Sequence, residues 1–75
     1  MKIYLRIGSE LLNEAEIFAT KKEAIAHFTA QAKGLYRYGQ RLEGTLHYPY
    51  KGAIAEYPDY ILSVGKRGGI VIGLT

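Results

Sequence analysis

Residues 20–39 constrain the fold most strongly, because they have the pattern of an amphipathic helix and no other segment does. Thr20 and Glu23 have the spacing of a capping box, which predicts a helix that begins directly after Thr20. An α-helix rotates by 100° per residue, which places four side chains on one narrow stripe: Ile25, Phe28, Ala32 and Tyr36. We expect this stripe to face the core. The helix is expected to end near residues 36–38, although Gly34 is an alternative stop. One helix cannot bury such a stripe alone, so the flanking segments must supply a sheet.

Five segments have the alternation or the β-branched composition of strands, at residues 2–7, 15–19, 40–48, 60–64 and 70–74. The first two are expected to pair antiparallel, and the last two to form a hairpin around a glycine-rich turn. Gly44 lies inside the third segment, which indicates a bulge or a close backbone approach. The fifth segment is apolar on both faces, so we expect it inside the sheet. Residues 49–58 form a long connection, with room for a short edge strand at 53–56.

The elements follow one another in the order ββαβββ, which predicts an α+β fold. We expect a two-layer sandwich in which one helix packs on a mostly antiparallel sheet of four or five strands. A chain of 75 residues is expected to form one domain that spans residues 1–75. The sequence has no cysteine and no apolar run that approaches the length of a membrane span, so we expect a cytoplasmic protein that does not enter a membrane.

The net charge of +3 is concentrated in the second part of the chain. Up to Gln31, four basic residues balance four acidic ones, whereas from Ala32 onward six basic residues stand against three acidic ones. A basic patch of this kind attracts nucleic acid or an acidic protein surface. The chain also contains seven tyrosines, a residue type that is favoured at interfaces because it gives a large contact area at low entropic cost.

The sequence contains no pattern that carries a known chemistry. His27 and His47 are expected on the surface, and neither belongs to a metal-ligand pair of the usual spacing. Ser9 and Ser63 lack the context of an activated nucleophile. We therefore expect a non-enzymatic protein without a metal or a cofactor.

Tyrosine and basic residues alternate around the end of the helix and the irregular connection, which is the composition of a binding surface. The residues proposed to form the partner-binding surface are Arg37, Tyr38, Arg41, Tyr48, Tyr50 and Lys51, with Lys66 and Arg67 as an auxiliary patch. A protein partner is the first hypothesis. The alternative is a small basic nucleic-acid-binding domain that uses the same face. Self-association into a homodimer is compatible with both, because segment 70–74 is entirely apolar.

The size of the chain and the order of its elements resemble those of the small anti-CRISPR proteins of phages and mobile elements. The resemblance covers the strand at residues 2–7, the strand at 15–19, the helix and the strands that follow it. It implies an inhibitor in the cytoplasm of a bacterial host that binds the subunits of a CRISPR effector complex. The bound inhibitor would then exclude target DNA sterically and would catalyse no reaction.

Overall fold

The computed structural model describes residues 2–74 and shows one helix packed on a five-stranded antiparallel sheet. In chain order the elements are β1 (Ile3–Ile7), a 3-10 turn (Leu12–Glu14), β2 (Glu16–Phe18), α1 (Lys21–Tyr36), β3 (Gly44–His47), β4 (Pro49–Tyr50), β5 (Ala53–Ile54), β6 (Tyr60–Val64) and β7 (Ile70–Leu74). The main sheet has the order β2-β1-β3-β6-β7, and β4 and β5 form a separate two-stranded hairpin. The predicted α+β sandwich is confirmed, while the third strand is shorter than expected because only residues 44–47 pair.

The ends of α1 are set by local sequence signals. At its start, the backbone N–H of Glu23 donates to the hydroxyl oxygen of Thr20 at 3.2 Å, as the capping-box spacing predicts. At its end, Gly39 adopts a φ of 77° and donates to the carbonyl of Tyr36 at 3.0 Å. The N–H of Gln40 donates to the carbonyl of Leu35 at 3.2 Å, which completes a Schellman-type closure. The helix therefore continues past Gly34.

The core lies between α1 and the face of the sheet that it covers. The sheet contributes four fully buried side chains, those of Ile3, Leu5, Leu46 and Leu62. From α1, Ala24, Phe28 and Ala32 are buried, and the two alanines allow the helix to lie close to the strands. A Cβ on Gly44 would lie 3.0 Å from the Phe28 ring, so the predicted close approach at this glycine is confirmed. Tyr36 was expected in the core, but it is 38% exposed.

The expectation that the last strand lies inside the sheet is wrong, because β7 forms one edge. The helix packs mainly against β1 and β2, at the opposite side of the sheet. With a diameter of about 10 Å it can cover only two or three strands spaced about 4.8 Å apart. Ile72 and Leu74 on the helix side of β7 consequently remain exposed, and Val71 is exposed on the opposite face.

The connection between β3 and β6 folds back over the face of the sheet opposite the helix. Its hairpin turns at Lys51 and Gly52, which both have positive φ (52° and 80°), the geometry of a type I′ turn. The N–H of Asp59 donates to the carbonyl of Leu46 at 2.8 Å, which fixes the end of the connection to β3. None of the helices formed by residues 2–74 has the length and apolar content needed to cross a membrane.

Candidate functional site

Two long side chains reach from the ends of α1 to the two ends of β6, and these contacts define two ends of the molecule. At its start, the Lys21 ammonium lies 3.9 Å from the centroid of the Tyr60 ring, at the first residue of β6. At its end, the Tyr36 hydroxyl donates to the carbonyl of Lys66, just beyond the last residue of β6, at 3.4 Å. We name the first the loop end, because the connection between β3 and β6 lies there. We name the second the turn end, because the β6–β7 turn lies there.

Five of the eight residues proposed from the sequence lie at the turn end. Arg37 and Tyr38 follow the last turn of α1, Arg41 lies in the segment leading to β3, and Lys66 and Arg67 form the β6–β7 turn. All five side chains are exposed. Two groups that are far apart in the sequence thus contribute to one surface.

The contact between Tyr36 and Gly68 brings these two groups together. Gly68 has a φ of 84°, and a Cβ there would lie 3.1 Å from Cε2 of Tyr36, so the ring lies directly on the turn. The Tyr36 hydroxyl donates to the carbonyl of Lys66, and both Lys66 and Arg67 are exposed. Tyr36 therefore positions the turn rather than filling the core.

The cations of the turn end are not neutralised by neighbouring carboxylates. Within residues 2–74 the contact of a carboxylate with a basic side chain that the structure shows joins Glu16 to the His27 imidazole, and it involves none of the turn-end cations. Glu43 lies at the same end, where its carbonyl accepts from the N–H of Gly8 at 2.8 Å. Glu10 lies there too, because its carboxylate accepts from the N–H of Ile7, the last residue of β1, at 3.0 Å, so four cations stand against at least two carboxylates at this end.

An apolar depression of about 400 Å³ lies on the surface of α1, on the side of the helix where Gln31 contacts His27 near β2. It is open to solvent and is lined by Ala30, Gln31, Gly34, Leu35 and Tyr38. Tyr38 is 81% exposed and is the one residue of the proposed surface that lines the depression. Sequence reasoning missed this feature, although alanine and glycine on the solvent side of a helix signal a low, apolar surface.

The remaining proposed residues, Tyr48, Tyr50 and Lys51, lie at the loop end. The N–H of Tyr48 donates to the Asp59 carboxylate at 3.0 Å, and the Lys51 ammonium lies 5.3 Å from the centroid of the Tyr50 ring. The five residues of β6 separate them from the turn end, a distance of roughly 16 Å. The structure therefore divides the proposed eight-residue surface into two groups.

His47 was expected on the surface, but it is fully buried under the connection between β3 and β6. Its Nδ1 lies 2.8 Å from the carbonyl oxygen of Ala55, which can only accept, so Nδ1 donates. Its Nε2 lies 2.8 Å from the hydroxyl of Thr45, which can then donate to it. Nδ1 thus holds the connection onto the sheet, and Nε2 bonds to a residue of the same strand, which gives His47 a structural role.

The second histidine, His27, is half-buried against β2. Its ring centroid lies 5.2 Å from that of Phe18, and its Nε2 lies 3.4 Å from a carboxylate oxygen of Glu16 and 2.9 Å from the side-chain nitrogen of Gln31. Across residues 2–74, no group of three or more histidine, cysteine, aspartate or glutamate side chains is close enough to hold a metal ion.

Comparison with known proteins adds no relative to this description. No protein-family model, no curated protein and no solved structure matches the chain.

Proposed function

We propose that the protein is a non-enzymatic inhibitor that binds a protein partner through its turn end. The observation that supports this proposal is that four exposed cations, Arg37, Arg41, Lys66 and Arg67, lie at the same end of the molecule as Tyr38, which lines an apolar depression. Arginine and tyrosine are the residue types that contribute most to the affinity of protein interfaces. The matching partner surface carries carboxylates around an apolar side chain that fits the depression.

The depression favours a protein partner over nucleic acid. A phosphate backbone would use the four cations but would gain nothing from the apolar wall formed by Ala30, Gly34 and Leu35. An aliphatic or aromatic side chain of a protein would bury that wall and the ring of Tyr38 together. Such burial combined with charge pairing is typical of a protein interface.

A CRISPR effector complex is the proposed partner, because the chain resembles the small anti-CRISPR proteins in its size and element order. A positively charged end is repelled by the basic channel that binds target DNA, so it would contact an acidic surface beside that channel. The rest of the molecule would then block target DNA by its volume. Inhibition would require no catalytic residue.

A matched pair of charge reversals tests the proposal. The double variant Arg37→Glu and Lys66→Glu reverses two charges at the turn end. The control, Lys2→Glu and Lys22→Glu, changes the net charge by the same amount at exposed positions elsewhere. The tagged protein would be used to capture partners from bacterial lysate with and without nuclease. We expect the unmodified protein and the control to retain the same effector subunits after nuclease treatment, and the turn-end variant to lose them.

A second pair separates the aromatic contact from general exposure of tyrosine. Tyr38 and Tyr57 are both 81% exposed, but only Tyr38 lines the depression. Tyr38→Ala is expected to weaken partner binding roughly 30-fold, as for an interface hot spot of about 2 kcal/mol, and Tyr57→Ala to leave it unchanged. Equal effects of the two substitutions would contradict the assignment of the interface to the turn end.

Direct binding of nucleic acid is the second candidate, because the same four cations could contact phosphates. Four phosphate contacts predict a slope of about −3.6 for log K against log salt on duplex DNA. Affinity would then fall roughly 100-fold between 50 and 200 mM salt. Capture of nucleic acid alone, with all proteins lost after nuclease treatment, would favour this candidate over the inhibitor.

A further inference from the structure

Strand β7 is an edge strand without the features that usually prevent edge-to-edge pairing. All five of its residues pair with β6, so no bulge interrupts it. It contains no charged residue and no proline, and Val71, Ile72 and Leu74 are 50%, 44% and 80% exposed. Natural edge strands are normally protected by charge, proline, a bulge or short length. The opposite edge, β2, has that protection because it pairs over three residues and carries Glu16.

The hydrogen-bonding groups at this edge follow from the β6–β7 hairpin. The N–H of Gly65 donates to the carbonyl of Gly69 at 2.7 Å, which makes these residues a hydrogen-bonded pair. Hydrogen-bonded and non-hydrogen-bonded pairs alternate along an antiparallel ladder, so Val71 and Gly73 form the next hydrogen-bonded pairs with β6. The backbone N–H and C=O groups directed away from β6 therefore belong to Ile70, Ile72 and Leu74.

We propose that the protein forms a homodimer in which β7 pairs antiparallel with β7 of a second copy, with Ile72 on the two-fold axis. In this register Ile72 pairs with its own copy, and Ile70 pairs with Leu74 at both ends. All the outward-directed backbone groups of β7 then have a partner. Shifting the axis to Val71 or to Gly73 leaves some of these groups unpaired within the strand, so the register centred on Ile72 uses the edge most completely.

The side chains and charges of β7 fit a second copy. On the helix side, the paired strands place only isoleucine and leucine next to each other. On the other side, Val71 of one copy lies beside Gly73 of its partner, where the missing side chain leaves room for it. Arg67 of the two copies would be about 34 Å apart, well beyond the screening length of about 8 Å at physiological salt. No like charges oppose each other along the paired strands.

This inference does not depend on the proposed inhibitor function, since the turn-end surface and the β7 edge are formed by different residues. A dimer joins two five-stranded sheets into one and leaves both turn ends accessible. Failure of the dimer would therefore leave the partner-binding proposal intact, and the reverse also holds.

Cysteine cross-linking tests the register directly, because the chain contains no cysteine of its own. In the proposed pair, residue 72 faces its own copy at the Cα separation of about 5.5 Å that a disulfide accepts. Ile72→Cys is expected to form a disulfide-linked dimer under mild oxidation at least about tenfold faster than Ile17→Cys, the matched isoleucine at the β2 edge. Equal rates for the two variants would overturn the proposal.

Sedimentation equilibrium supplies the second measurement. The unmodified protein is expected to show a monomer–dimer equilibrium, and Ile72→Lys to raise its dissociation constant at least about tenfold, because two lysines would face each other at the axis. Ile17→Lys, at a residue that is 56% exposed, should leave the constant unchanged. Circular dichroism would confirm that both variants fold. A monomer at high micromolar concentration, or equal effects of the two lysines, would refute pairing through β7.

Discussion

Alanine at Gly44 is expected to destabilise the protein although alanine has the smallest side chain after glycine. A Cβ at this position would lie 3.0 Å from Cε1 of Phe28 and 3.1 Å from the carbonyl oxygen of Arg6, whereas ordinary contacts begin at 3.4 Å. Phe28 is fully buried, and the Arg6 carbonyl belongs to β1, which pairs with β3. Neither atom can retreat without disturbing the core. We expect a loss of about 1–3 kcal/mol of unfolding free energy, which is typical of overpacking.

Gly34 provides the control, because a Cβ there would meet nothing within 4 Å. It lies inside α1, where alanine is favoured over glycine by about 0.5–1 kcal/mol. The same substitution is thus predicted to stabilise the protein at one glycine and to destabilise it at the other. Urea unfolding followed by circular dichroism measures both, provided that the denaturant slope stays constant. In thermal unfolding, each kcal/mol corresponds to a shift of about 4–8 °C.

A neutral or stabilising Gly44→Ala would refute the close approach of Phe28 to β3. That result would mean that the helix lies farther from the sheet, and the burial of Ala24 and Ala32 would then need another cause. A destabilising Gly34→Ala would instead indicate that the outer surface of α1 is covered by another part of the protein.

Three further substitutions test local features, each by urea unfolding. His47→Ala is expected to cost about 2–4 kcal/mol, since it creates a cavity and leaves the Ala55 carbonyl and the Thr45 hydroxyl unpaired. Thr20→Ala removes the N-cap and should cost about 1 kcal/mol. Gly39→Ala imposes a side chain on a φ of 77° and should cost about 1–2 kcal/mol. A change below about 0.5 kcal/mol, as for an ordinary surface substitution, would contradict the role assigned to that residue.

The helix and the last hairpin were predictable because their signals are local. The Thr20 cap and the Gly39 closure involve residues within one helical turn of the helix ends. The strands at residues 60–64 and 70–74 have the predicted bounds, because a glycine-rich turn separates two β-branched runs. Local geometry of this kind depends little on the rest of the fold.

The position of β7 was not predictable from its own residues. An apolar strand is usually interior, because a central strand is covered on both faces. Here β7 pairs with β6 at one edge of the sheet, and the short link between β2 and the helix keeps α1 over the other side, so the helix does not cover β7. Periodicity describes which face of a strand is apolar but not which strands the helix covers. The same limit applies to His47, which is buried by a connection that has no periodic pattern.

For the proposed surface, the sequence indicated the residue types but not which of the residues lie together in space. Tyrosine and basic residues near the helix end were recognised by composition, but composition contains no distances. Tyr50 and Lys51 lie close in sequence to Arg41, yet β3 carries the chain to the opposite end of the sheet between them. Lys66, by contrast, returns to the helix end because β6 runs antiparallel to β3. Strand direction, rather than sequence proximity, decides which cations act together.

Strand direction also determines how a dimer would present the partner-binding surface. Antiparallel pairing of β7 with its copy places the two β6–β7 turns at opposite ends of the joined strands, roughly 30 Å apart. The two turn ends then face in opposite directions, so each would contact a separate partner rather than a shared surface. The dimer would therefore bind two effector complexes, and a single complex would gain no avidity from the second copy. In this arrangement the proposed dimer contact and the proposed partner contact would not compete, so each can be tested without disturbing the other.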